Sequence, residues 1–127
     1  MMTDELIMNI WGREITLDVY YKTYKGQKIE IDQIDSYYNF LNDSCELQKS
    51  KDKLIDYIEK NYKNNLKEQR IDNIFKYVLP KTLYISSNTD KRLVAILCDF
   101  RFDEEHGLAI IFEKEKFKKI ASQDEIL

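Results

Sequence analysis

The apolar residues of this chain change their spacing twice, from strand-like to helix-like and back. Ile15, Leu17 and Val19 alternate with Thr16 and Asp18 near the N-terminus, which is the two-residue period of a half-buried strand. The middle third repeats apolar residues every three or four positions, the period of one helix face. The last third returns to short apolar runs typical of strands. Strands, then helices, then strands, without βαβ alternation, predict an α+β fold.

The strands near the N-terminus are predicted to form a hairpin, and those near the C-terminus are predicted to form a meander. Strand formers occupy 6–11 and 15–21 on either side of Gly12, so an N-terminal β-hairpin is predicted with its turn at that glycine. Short polar connections join the later strands, and such connections favour an antiparallel meander. These later strands are predicted at 83–85, at 93–98, at 108–112 and around Phe117 and Ile120, and residues 86–90 are predicted to form the first of the turns.

Two to three helices are predicted between these strands, all packed on one face of the sheet within a single domain, 1–127. The first helix runs from Ile31 to Cys45, with Asp32 available as its cap. The second has Ser50 or Asp52 as its cap, and the third is short and ends before Pro80. Their predicted core faces are Ile31, Ile34, Tyr38, Leu41 and Cys45; Leu54, Ile55, Ile58 and Tyr62; and Ile71, Ile74, Phe75 and Val78.

Composition and charge argue against several classes of partner. The formal net charge is -3, and lysines and carboxylates are interleaved, so we expect no nucleic-acid partner. No run approaches the roughly 20 apolar residues of a membrane span, and the N-terminus is acidic and lacks the features of a secretory signal. We therefore expect a cytoplasmic protein with no membrane contact. Cys45 and Cys98 form no CxxC motif and lie in apolar patterns, so both are predicted to be buried free thiols.

One segment concentrates polar chemistry, the stretch from Asp99 to Gly107, which contains the only histidine. A histidine beside carboxylates can bind a divalent ion or act as a base. Other ligands do not stand at a known spacing, however, and consecutive carboxylates at a strand end alternate in direction. Three interpretations stay open: a polar hairpin connection, an acidic recognition surface, and a metal or acid–base site. The candidate binding residues are Asp99, Asp103, Glu104, Glu105 and His106.

No catalytic residue, metal ligand or cofactor is assigned from the sequence. The motifs that mark nucleotide-binding loops, zinc proteases and serine hydrolases do not occur in this chain. Cys98 lies in an apolar strand pattern, which is unfavourable for a reactive thiolate. We therefore expect a protein that is not an enzyme.

The C-terminal third carries a distinctive pattern. Residues 95–112 read AILCDFRFDEEHGLAIIF, and residues 117–127 read FKKIASQDEIL. This ending resembles that of a family of small bacterial domains of unknown function, whose members show a run like FDEEHGLAIVF, a short turn and then KIGSQD. Ala121 stands where that family has glycine, so the last turn is expected to differ slightly. A hairpin containing Trp11 and Gly12, and a helical middle ending at Tyr62, agree more loosely.

The resemblance implies a fold and a kind of partner but no catalytic residue. Such domains resemble the immunity and accessory proteins of bacterial polymorphic-toxin systems. The leading hypothesis is therefore a non-enzymatic, protein-binding domain that neutralises a cognate toxin as an immunity protein. The loop carboxylates with Asp124 and Glu125 are predicted to meet a basic toxin face, and the candidate aromatic anchors are Tyr20, Tyr21, Tyr24 and Tyr37. The alternative is a small-molecule- or metal-binding domain that uses the Asp103–His106 loop.

Overall fold

The computed structural model describes residues 2–87 and 91–127 of the chain. Within these residues six strands form one sheet, in sequence order, and two helices and two 3₁₀ turns accompany it. The helices are α1 (Ile31–Asn42) and α2 (Cys45–Asn61), and the 3₁₀ turns are Ile74–Lys76 and Gln123–Glu125. The strands are β1 (Met2–Ile10), β2 (Arg13–Tyr21), β3 (Val78–Ile85), β4 (Leu93–Phe100), β5 (Leu108–Glu113) and β6 (Lys116–Ala121).

This arrangement confirms the α+β class, whereas its finer details match the prediction only roughly. Neighbouring strands are antiparallel except β2 and β3, which are parallel because the helical segment connects them. The N-terminal hairpin and the consecutive pairing of β3 to β6 agree with the predicted hairpin and meander. The strands are longer than predicted, and β3 begins at Val78, five residues before its predicted start. The predicted turn at 86–90 extends beyond the described residues.

The turn between β1 and β2 is tied to α2. Trp11 and Gly12 both have positive φ, at 53° and 85°. A two-residue hairpin turn of type I′ requires positive φ at both of its central residues. The indole N–H of Trp11 donates to the carbonyl oxygen of Leu47 over 3.0 Å. Its backbone N–H donates to the side-chain oxygen of Gln48 over 2.9 Å. These two bonds hold a non-glycine residue in the left-handed region and fix the hairpin on α2.

The main core lies between the sheet and the two helices. Leu47, Leu54 and Ile58 of α2 are fully buried in it. The last strand also reaches α2, since the backbone N–H of Phe117 donates to Glu46 over 3.1 Å. Both the first hairpin and the last strand of the sheet are therefore hydrogen-bonded to α2. The sheet contributes Leu17, Val19, Leu83, Ile85, Val94, Ile96, Cys98, Leu108, Ile110 and Phe112 to this core.

The opposite face of the sheet carries a smaller apolar cluster. Its buried members are Tyr84, Ala95, Leu97, Ala109, Ile111 and Ala121. Ile126, after the C-terminal 3₁₀ turn, packs against this cluster. The ring of Tyr20 stacks on Tyr84 with 5.6 Å between the centroids. Both faces of the central strands are thus apolar. For this reason those strands appear in the sequence as continuous hydrophobic runs.

The prediction for the first helix is wrong in its limits. α1 ends at Asn42, and Cys45 begins α2, where its side chain is exposed rather than buried. The residue before the helix, Glu30, forms a capping box with Gln33, so Asp32 is not the cap. Cys98, in contrast, is buried as predicted.

The predicted core face of this helix is also wrong. Ile31, Ile34 and Tyr38 are 77%, 38% and 58% exposed. The helix instead buries Gln33, Ser36 and Phe40. The amide of Gln33 donates to the carbonyl oxygens of Lys22 and Ser86, over 2.8 and 3.3 Å, and Phe40 contacts Phe112. The inward face of α1 therefore supplies a hydrogen-bond donor to two loop carbonyls, and burying such a donor without an acceptor would be costly.

The other two helices also differ from their predictions. α2 begins at Cys45, so Ser50 and Asp52 lie inside it, and the buried Ser50 hydroxyl donates to the carbonyl of Leu47. The third helix is only the 3₁₀ turn Ile74–Lys76. Pro80 lies within β3 beside a register shift, a position where a strand tolerates its missing N–H. None of the helices in the described residues is long and apolar enough to cross a membrane.

Candidate interaction site at the acidic loop

The candidate site is the loop 101–107, which joins β4 to β5 at one end of the sheet. Backbone hydrogen bonds define its course. The N–H of Arg101 donates to the carbonyl of Tyr77 over 2.8 Å, and the N–H of Asp103 donates to that of Phe100 over 3.2 Å. The N–H of Gly107 donates back to the carbonyl of Asp103 over 2.9 Å. The loop is therefore a closed turn with defined geometry.

Asp103 and His106 form a pair inside this turn. The Asp103 carboxylate accepts the backbone N–H of His106 over 3.2 Å and lies 3.0 Å from its ring Nδ1. The hydrogen bond from His106 lowers the pKa of Asp103, and the same bond raises the pKa of His106. A bond of this kind between residues three apart is typical of a polar hairpin connection, and here it uses Asp103 to shape the turn.

Gly107 is the position where the loop meets the C-terminal segment. Its φ is +63°, and a Cβ there would stand 2.8 Å from the backbone oxygen of Cys98 and would collide with the Gln123 side chain. Gln123 donates its amide N–H to that same oxygen over 3.0 Å. Its backbone N–H donates to the carbonyl of His106 over 3.3 Å. Gln123 therefore clamps both ends of the loop, and only glycine leaves space for it.

An aromatic cluster anchors the start of the loop. The ring of Phe102 lies 5.3 Å from that of Tyr77, 5.7 Å from that of Tyr62 and 5.7 Å from that of Phe100. Tyr62 also meets Phe100 edge to face at 5.1 Å. Such contacts add to the burial of these rings and restrict their motion. The loop is therefore held to the end of α2, where Tyr62 stands.

The five predicted site residues do not converge on one point. Asp99 and Glu104 line a surface cavity of about 580 Å³, together with Lys76, Tyr77, Leu79, Phe100 and Arg101. Asp103 is bonded to His106, and the other ring nitrogen of His106 lies 3.9 Å from Asp124. Glu105, which lies between Glu104 and His106 in the sequence, is exposed. The loop therefore presents its carboxylates over a surface rather than around a single ion.

The acidic surface extends onto the C-terminal 3₁₀ turn. Residues 99–107 contain four carboxylates, one arginine and the histidine. Asp124 and Glu125 add two exposed carboxylates, of which Glu125 pairs with Lys119. We call this set the acidic surface: Asp99, Asp103, Glu104, Glu105, Asp124 and Glu125.

The groups that could carry metal or thiol chemistry are not assembled here. In the two described ranges, 2–87 and 91–127, no three side chains of His, Cys, Asp or Glu are placed to hold a metal ion. Cys98 faces the core, and burial raises the pKa of its thiol, which keeps it protonated. A second cavity, of about 550 Å³, adjoins the first and shares Lys76, Tyr77 and Arg101 with it. The hydroxyl of Tyr77 donates to Glu68 there.

Comparison with known proteins gives one match. Residues 2–127 match the family described as a domain of unknown function, DUF6985. The chain is a DUF6985 domain. No curated protein and no solved structure matches it.

The match spans the hairpin, the helices and the meander. It therefore covers the acidic surface and also the clamp, which is the pair of bonds from Gln123 to Cys98 and His106. The sequence patterns around the clamp have structural explanations in this DUF6985 domain. Asp103 closes the turn, Gly107 makes room, and Gln123 bonds both loop ends. Reasoning from residue types missed Gln123 and Phe102. The Ser122-Gln123-Asp124 sequence near the C-terminus contains Gln123 but gives no local sign of its contact with β4, and nothing in the spacing of Phe102 marks it as an anchor.

We predict a pH-dependent contribution from the Asp103–His106 pair. Because His106 has a raised pKa in the folded state, its pairing stabilises the DUF6985 domain fully below pH 6.5, and this contribution is lost as pH rises through the folded-state pKa. Because Asp103 has a lowered pKa, its pairing stabilises the domain above pH 3.8, and this contribution is lost as pH falls through the folded-state pKa. The pair therefore contributes most between those two values. NMR titration of the single histidine will give a pKa above 6.5, which falls towards 6.5 in Asp103→Asn; an equal pKa in both proteins contradicts the pairing.

Proposed function

We propose that this protein is a non-enzymatic binding domain that recognises the basic face of another protein through its acidic surface. The observation that carries the proposal is the combination of exposed carboxylates with a loop held at both ends by Gln123 and Phe102. A fixed surface loses little conformational entropy on binding. Complementary charge then speeds association and selects the partner.

The proposed partner is a toxin domain, which the protein would neutralise as an immunity protein. The similarity of the C-terminal pattern to immunity and accessory proteins supports this choice. A tagged protein used as bait in lysate of its own host, followed by mass spectrometry, will identify a protein bound one to one.

The charge-reversal variant Glu104→Lys/Glu105→Lys tests the acidic surface directly. Both side chains are exposed and neither forms the clamp, so the variant keeps its fold. We expect its affinity for the captured partner to fall by about tenfold or more, since like charges then face each other. Isothermal titration calorimetry at two salt concentrations measures this loss of affinity. The affinity of the variant should also depend less on salt concentration than that of the natural protein.

The matched control is Asp52→Lys/Asp56→Lys, which makes the same change of charge on the exposed side of α2. Its affinity should stay close to that of the natural protein. Equal losses in both variants would show a net-charge effect, and no loss in either would remove the acidic surface from the interface. Co-expression with the captured partner then tests neutralisation, because growth should be rescued by the natural protein and not by Glu104→Lys/Glu105→Lys.

A further inference from the structure

The exposed face of α1 carries an apolar stripe that the fold does not use. Ile31, Ile34 and Tyr38 stand at i, i+3 and i+7, so they lie on one side of the helix. All three are exposed, while the helix packs on the sheet through Gln33, Ser36 and Phe40. Exposed apolar side chains scattered singly need no explanation, but three on one helix stripe form a continuous surface.

Tyr38 is connected to the core by a row of aromatic rings. Its ring lies 5.1 Å from that of Tyr37, which in turn meets the buried Tyr21 edge to face at 6.3 Å. Burial raises the pKa of Tyr21 to about 12, as expected for a phenol in the core. Tyr38 therefore lies at the exposed end of this row. Tyrosines are common anchors of protein interfaces.

The charge along this helix is wholly negative. From residue 30 to residue 43 the chain has no lysine or arginine, and its carboxylates are Glu30, Asp32, Asp35 and Asp43. A surface cavity of about 530 Å³ beside the stripe is lined by Asp32, Asp35, Tyr38, Asn39 and Arg92. Arg92 is bonded to Glu115 over 3.2 Å, so its charge is already compensated. The lysines of the preceding loop, Lys22, Lys25 and Lys28, lie before the helix.

We infer that α1 is a second docking surface, which inserts its Ile31–Ile34–Tyr38 stripe into an apolar groove of a partner protein whose rim carries lysine and arginine. The spacing is that of helices recognised in grooves, and the acidic flanks select the basic rim. This surface is independent of the acidic surface. Gln33 binds Ser86 just after β3 ends, whereas the acidic loop lies beside Val78, where β3 begins.

A synthetic peptide can present the two chemical features of the proposed groove, an apolar stripe and a border of lysines, without the rest of the partner. The probe is a fluorescein-labelled amphipathic helix of about fifteen residues, with a leucine stripe flanked by lysines. Its counterpart has glutamate in place of every lysine. Fluorescence anisotropy at about 0.15 M salt measures binding to the full-length protein. We expect the lysine peptide to bind and the glutamate peptide to bind about tenfold or more weakly.

Three variants locate the binding. Ile34→Ser/Tyr38→Ser should weaken the lysine peptide by about tenfold or more, as loss of a central aromatic anchor does. Ile7→Ser/Leu127→Ser removes two other exposed apolar side chains and should leave its affinity unchanged. Glu104→Lys/Glu105→Lys should also leave it unchanged, which separates this inference from the proposed function. Absence of binding, equal binding of the two peptides, or equal effects of the two apolar variants would overturn it.

Discussion

Trp11→Ala will lower the free energy of unfolding by about 4 kcal/mol, a large part of the total stability of a small domain. The side chain is 7% exposed, and its ring packs at 5.8 Å from that of Phe75. Removing it leaves a cavity and leaves the carbonyl of Leu47 without the indole donor. The hairpin would then lose its fixed position on α2. Urea denaturation followed by circular dichroism measures the change without relying on tryptophan fluorescence.

Two further variants separate burial from hydrogen bonding at this position. Trp11→Phe keeps an aromatic ring but lacks the indole N–H, so we expect a loss of about 1–2 kcal/mol. Tyr24→Ala removes an aromatic ring that is 60% exposed and should change stability by less than about 0.5 kcal/mol. A Trp11→Ala effect as small as that of Tyr24→Ala would show that the hairpin does not depend on its contact with α2.

Gly107→Ala will destabilise the protein by about 3 kcal/mol, through backbone strain together with steric overlap. Its φ of +63° is unfavourable for alanine, and the added Cβ would stand 2.8 Å from the Cys98 backbone oxygen. That oxygen is fixed inside β4, so it cannot move away cheaply. The Gln123 amide must also shift, which breaks its bond to Cys98. Thermal and urea unfolding will report the loss.

Gly26→Ala is the matched control for this variant. Gly26 has a φ of +81°, yet a Cβ there meets no atom within 4 Å, so only the strain of about 1 kcal/mol remains. The double variant Gly107→Ala/Gln123→Ala relieves the overlap with the side chain but not that with the backbone oxygen, so part of the loss should persist. Equal effects at Gly107 and Gly26 would show that the clamp tolerates a methyl group.

Local patterns in the sequence predicted the existence and order of the strands, though with limits that were too short, because each strand carries its own signal. The alternation at Ile15, Leu17 and Val19, the glycine at the first turn and the short polar connections of the C-terminal strands do not depend on distant contacts. The closed turn at Asp103 and His106 is local in the same way, since its bonds join residues three apart.

The helices show where such patterns stop being decisive. The apolar spacing of Ile31, Ile34 and Tyr38 is correct for a helix face, but it carries no information on whether that face packs on this chain or on another. Gln33 lies on the inward face, where its amide donates to two loop carbonyls. Those carbonyls belong to Lys22 and Ser86, which follow two different strands, and no short sequence window contains both of them together with the helix.

Local sequence patterns were enough to predict the α+β class, the antiparallel strand pairs and the position of the acidic loop. Each of these follows from the types and spacing of residues near one another in the chain. Three features are visible only in the folded protein: which face of α1 is exposed, where Trp11 packs on α2, and that Gln123 bonds to the Cys98 carbonyl in β4. These features depend on hydrogen bonds and packing between residues far apart in sequence, which no local pattern contains.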